Sequence, residues 1–158
     1  MDATPKYTDK AVDLFMQGYN CCQAVFAGFC ERFGMDREDG LRLTAGMGGG
    51  MGGMREKCGA VTAMFLLAGL RDGSYSPADG DAKKRMYALV QELDAAFAGR
   101  CTSTNCQELL KLADEKFCGV PALRMAAFHD KKPCATLVEA ASQIVSELLV
   151  HVTPERRA

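Results

Sequence analysis

Eight cysteines in a chain of 158 residues carry most of the chemistry this sequence could perform. Cys21 follows Asn20, Cys58 precedes Gly59-Ala60, Cys106 follows Asn105 and Cys134 follows Pro133, so each falls where a helix is expected to begin. A thiol in a first helical turn meets unpaired N–H groups and the positive end of the helix dipole. Both favour the thiolate, the form that attacks disulfides and ligates metals. Arg55 and Lys57 flank Cys58, and Lys131 and Lys132 precede Cys134, so positive charge is expected to strengthen the effect at these two. Cys22, Cys30, Cys101 and Cys118 have no comparable setting and read as small buried hydrophobes.

Spacing excludes several familiar sites. There is no C-x-x-C, no ferredoxin-type run and no H-E-x-x-H, and the only imidazoles are His129 and His151. Zinc ribbons, thioredoxin-like sites and di-iron bundles are therefore not expected. His129 lies five residues before Cys134, within range to serve it as a base, although a lone loop histidine is ordinarily solvated. Any site must be assembled from distant segments.

A glycine-rich stretch, "GMGGGMGGM", leads into Cys58. It contains G-x-G-x-x-G at Gly48, Gly50 and Gly53, but no strand precedes it and no Lys-Ser/Thr follows, so neither dinucleotide nor P-loop binding is implied. Glycines allow close approach of the backbone and positive φ. Gly48, Gly49, Gly50, Gly52 and Gly53 are candidates to present N–H groups to a thiolate, sulfide or small anion, or else to form a tight corner. Met47, Met51 and Met54 add soft thioether donors of the kind that suits Cu(I), or serve as core filler.

The elements that must position these residues read as helices throughout, because apolar residues recur at helical spacing and alternation is never sustained. Helices are expected over about 6–18, with Val12, Phe15, Met16 and Tyr19 inward, and from Asn20 to Gly34, with Val25, Phe26, Phe29 and Phe33 inward. A short helix follows an Asp36 cap, and the run Gly46–Gly53 should break regular structure. A nearly all-apolar helix at about 56–71 reads as the core. An amphipathic helix at about 80–98, a sixth capped by Thr104 or Asn105, a mostly irregular stretch over 117–133 and a last helix at about 134–150 complete the chain. The expected fold is all-α, a single domain over residues 1–158 with six or seven helices around the buried central one.

Hydrophobic residues make up 48% of the sequence and charged residues 25%, the balance of a folded rather than a disordered chain. Net charge is −1 and no basic stripe interleaves with aromatics, so nucleic acid is not an expected partner. The N-terminus lacks the pattern of a secretion signal and the apolar run Cys58–Leu70 is too short to span a bilayer, so a cytoplasmic, membrane-free protein is expected. In a reducing compartment such a surplus of cysteine points to redox or metal chemistry rather than structural disulfides.

Together, "YNCCQAVFAGF", the glycine loop with "CGAVTA", "STNCQELL" and "KPCATLVEAASQIV" resemble the family of small helical redox-active proteins named for the pattern C_GCAxxG_C_C. The resemblance covers nearly the whole chain. It selects Cys21, rather than its neighbour Cys22, with Cys58, Cys106 and Cys134, the same cysteines that stand at helix starts. One departure is Ala63, where the family's C-G-A-x-x-G ends in glycine. The family name implies redox activity without a reaction. Two functions are consistent with these residues. In the first, a thiol–disulfide oxidoreductase, Cys58 attacks and Cys21, Cys106 or Cys134 resolves, the partner being a redox protein or small thiol. In the second, the same four thiolates hold an iron–sulfur cluster or another soft metal for electron transfer. A helical interaction module with structural cysteines is the third possibility, and an amphipathic surface permits a homodimer without requiring one.

Overall fold

The computed structural model describes residues 4–112 and 133–151. The fold is all-α; among the described residues the only β feature is an isolated bridge between Lys57 and Asn105. Helix α1 (Thr4–Met16) forms a hairpin with α2 (Cys21–Phe29). Asn20 starts α2 with a complete capping box: its Oδ1 accepts from the Gln23 N–H at 2.9 Å while Gln23 Oε1 accepts from the Asn20 N–H at 3.1 Å. Such a cap is worth about 1 kcal/mol and fixes where Cys21 sits. A 3₁₀ turn (Cys30–Phe33) extends α2 and stops at Gly34, whose φ of 91° only glycine adopts readily.

Asp36 caps α3 (Arg37–Leu43) by accepting from the N–H groups of Glu38 and Asp39. The glycine stretch forms a single turn, α4 (Gly48–Met51), within which Gly49 and Gly50 take left-handed φ values of 62° and 67°. Regular structure breaks there, as the composition predicts. Helix α5 (Gly59–Asp72) follows, with Cys58 as its N-cap. Next come α6 (Gly80–Cys101), capped by Asp79, and α7 (Cys106–Leu112). Helix α8 (Cys134–Val145) ends in a π turn over Ser146–Val150.

Helix α5 lies at the centre as its composition requires, burying Ala60, Val61, Ala63, Met64, Leu67 and Ala68 against α2, α6 and α8. Helix α2 is equally internal: Cys22, Ala24, Val25, Phe26, Ala27 and Phe29 are all at most 1% exposed. The core is therefore built on two helices, and their N-termini carry Cys21 and Cys58. Burying Phe26 and Phe29 alone contributes about 2 kcal/mol each. Of the inward stripe expected on α1, Val12 and Phe15 are buried but Met16 is 40% exposed, at the frayed last turn before Gly18. No helix among the described residues is long and apolar enough to cross a membrane. The expected irregular stretch over 117–133 lies almost wholly outside the described residues.

Candidate functional site

All four of the singled-out cysteines stand at helix starts: Cys21, Cys106 and Cys134 are first residues of α2, α7 and α8, and Cys58 caps α5. The helix starts reach one another through glycines. A methyl group on residue 59 would lie 2.5 Å from Cys21 Sγ and 3.1 Å from the Met47 carbonyl. Only a bare Cα there lets the ends of α2 and α5 abut. At residue 50 a methyl group would fall 2.6 Å from Cys106 Cβ, and at residue 48 it would overlap Asn20 Cβ at 2.5 Å. Gly59 and two of the five loop glycines, Gly48 and Gly50, thus act by closeness to the cysteine-bearing segments. Gly52 and Gly53 act by conformation, with φ values of 61° and 82°.

Two backbone hydrogen bonds stitch the start of α7 to that of α5. The Cys58 N–H donates to Thr104 O at 2.8 Å and the Cys106 N–H to Glu56 O at 2.6 Å. Lys57 secures the same seam from outside, its Nζ lying 2.7 Å from Asp94 Oδ1 on α6 and 2.9 Å from Thr104 Oγ1. Sequence reasoning missed Asp94 and Thr104 as site supports, since nothing local relates residues so far apart in the chain. Lys57, expected to favour a Cys58 thiolate, is committed to this ion pair instead.

The four thiols interact electrostatically with one another, and Cys21 is common to most of the couplings. Burial raises the Cys58 thiol, with Cys21 adding to the rise ahead of Cys134, against weaker lowering by the N–H groups of Val61 and Ala60. Burial likewise pushes Cys134 up to about 12, reinforced by Cys21 and Cys106 and opposed by Arg55. For Cys21, burial again dominates, countered by the Gly49 N–H aimed at its sulfur and reinforced by Cys106. The expected lowering by helix starts therefore does not prevail at Cys21, Cys58 or Cys134. Desolvation of a buried anion outweighs a few N–H dipoles, and Cys58 is only 3% exposed.

Arg55, expected to serve Cys58, places Nη1 3.7 Å from Cys106 Sγ. Cys22, Cys30 and Cys101 are buried, as expected of structural thiols. Burial pushes the Cys22 thiol up to about 12. Ala63, at the family's glycine position, is fully buried inside α5 with ordinary helical backbone, so nothing there demands glycine. His129, Lys131, Lys132 and Cys118 lie outside the described residues.

A metal or iron–sulfur cluster would find four cysteine donors, suitable in kind and number. As placed, however, no three Cys, His, Asp or Glu side chains among the described residues are grouped as a metal ion requires. A cleft of about 560 Å³ opens elsewhere, lined by residues that include Arg71, Tyr75, Arg85 and Glu92. None of the candidate residues borders it.

The chain is an all-α bundle with four cysteines at four helix starts, of which those of α2, α5 and α7 adjoin the glycine turn. Residues 19–148 match the family model described as "Putative redox-active protein (C_GCAxxG_C_C)", and the chain belongs to that family. No curated protein and no solved structure matches the chain.

Proposed function

We propose that the protein is a cytoplasmic thiol–disulfide redox protein in which Cys21, Cys58, Cys106 and Cys134 cycle between thiols and disulfides. The observation that carries this reading is the abutment of cysteine-bearing segments through glycines: a methyl group on residue 59, next to Cys58, would lie 2.5 Å from Cys21 Sγ, and one on residue 50 would lie 2.6 Å from Cys106 Cβ. A disulfide needs Cα atoms within about 7 Å, which favours cysteines on abutting segments, and oxidation removes the repulsion between neighbouring thiolates. In one cycle a protein thiolate attacks a disulfide RSSR, forming a mixed disulfide and releasing RS⁻. A second protein thiolate then attacks the mixed disulfide and releases the other RS⁻. The net exchange is RSSR plus two cysteine thiols giving two RSH plus one protein disulfide, so two electrons and two protons pass to the substrate.

Burial suits Cys58 to an internal, resolving role rather than to first attack. Cys21, half-buried and central to the couplings, is its natural partner. The test is thiol titration before and after mild oxidation, with metal analysis, on protein purified without oxygen. Loss of about two thiols per oxidation in a metal-free protein supports the reading. Stoichiometric iron with sulfide-to-iron absorption would replace it with the cluster function. Full retention of thiols with no metal would leave the cysteines structural.

A further inference from the structure

Arg55 is exposed, yet its guanidinium is directed at a buried sulfur. Its backbone takes φ of 61°, a left-handed conformation that a non-glycine residue rarely adopts and that folds hold chiefly at functional positions. The conformation is tied down on both sides: the Arg55 N–H donates to Gly49 O at 3.1 Å and the Glu56 N–H to Gly50 O at 2.9 Å. Glu56 O in turn accepts from the Cys106 N–H at 2.6 Å. Gly50 serves both neighbours, since a methyl group there would meet Cys106 Cβ at 2.6 Å and Arg55 Cα at 2.8 Å. The pairing of Nη1 with Cys106 Sγ at 3.7 Å is thus set by the backbone as well as by a long side chain. No carboxylate among the described residues forms an ion pair with this guanidinium.

We propose that Arg55 makes Cys106 the sulfur that first meets an outside disulfide, ahead of the more exposed Cys21. The inference rests on the thiol redox reading and assigns its first step. Cys106 attacks RSSR, giving Cys106–S–S–R and RS⁻. Cys21 then attacks Cys106 Sγ, giving the Cys106–Cys21 disulfide and the second RS⁻, and the two thiol protons go to the departing thiolates. In both steps negative charge sits on the sulfur facing Arg55 or on its leaving group, where a preplaced N–H donor is most effective. The Arg55 charge also opposes the rise of the Cys134 thiol, while Cys58 is only 3% exposed.

The test is labelling of reduced protein with less than one equivalent of iodoacetamide, uncharged and irreversible, followed by peptide mapping. Cys106 is expected to be labelled before Cys21, Cys58 and Cys134, although Cys21 and Cys134 are the more exposed. Arg55→Gln should slow Cys106 about tenfold, the size of one charge-assisted hydrogen bond, and leave the other three within about twofold; Arg55→Lys should restore most of the rate. First labelling at Cys21 or Cys134 in the native chain, or an unchanged Cys106 rate in a folded Arg55→Gln protein, overturns the proposal. Should that variant not fold, the native order and the lysine variant decide. Disulfide formation on mild oxidation is scored separately, so loss of the labelling order with disulfides intact refutes the role of Arg55 alone, and absence of disulfides refutes the redox reading beneath it.

Discussion

Arg71 and Arg55 lie near opposite ends of α5, roughly 20 Å apart along its axis, and the fold uses them in opposite ways. Arg71, its side chain 6% exposed, places Nε and Nη2 on the two oxygens of Asp72, and Nη1 donates to the carbonyls of Leu148 and Leu149. Every direction of its guanidinium is answered, and the loose carbonyls at the π turn ending α8 are satisfied in the process. Arg55 is exposed, sits on left-handed backbone and has a thiol, not a carboxylate, before it. The first arrangement closes a polar network for stability. The second leaves a charge available beside a reactive atom, which is where chemistry is expected.

Replacing each arginine should break this contrast in a defined way. The largest effect is expected for Arg71→Ala, which leaves Asp72 and two carbonyls without their partner. Urea unfolding should show a loss of about 3 kcal/mol, with unchanged iodoacetamide labelling order in the folded fraction. Next is Gly59→Ala, whose methyl group would collide with Cys21 Sγ. It should cost about 2 kcal/mol by overpacking and slow disulfide formation through Cys21, read as thiols lost per minute under mild oxidation.

Alkali tests the thiol end by itself, because burial raises its thiols. The buried Cys22 thiol is raised from 9.0 to about 12, and Cys134 likewise. The folded state therefore holds protons that the unfolded chain releases, and stability present below pH 9 is lost as pH climbs toward 12. Each such thiol adds a slope of about 1 kcal/mol per pH unit in that window. Cys22→Ala should remove its share of the slope in denaturation curves at pH 9 to 11. The smallest expected effect on stability is that of Arg55→Gln, within about 0.5 kcal/mol, even as it changes which sulfur reacts.

Much of the thiol end is legible from sequence because it is local. Asn20, Asp36 and Asn105 with Glu108 mark helix starts, and in the structure each of the three caps its helix: Asn105 Oδ1 accepts from the Glu108 N–H at 3.0 Å, though the Glu108 carboxylate turns to Ser103 Oγ rather than completing a box. The glycine run breaks the chain where composition says it must. What sequence could not supply is tertiary. Burial is a property of the assembled fold, so the rise of the Cys58 thiol is invisible in "KCGA", where flanking charge suggests the opposite. Lys57 finds Asp94 and Arg55 finds Cys106 across many residues, with no periodicity to announce either. Helix α2 reads as half of a hairpin because its second buried face meets α5 and α8, which only packing reveals.

The most direct test of the account is disulfide mapping by mass spectrometry after oxidation of the fully reduced protein with one equivalent of a small disulfide. A bond joining Cys21 to Cys106 or Cys58 is expected, with Cys22, Cys30 and Cys101 left unoxidised. Bonds confined to those three, or no intramolecular bond at all, would contradict it.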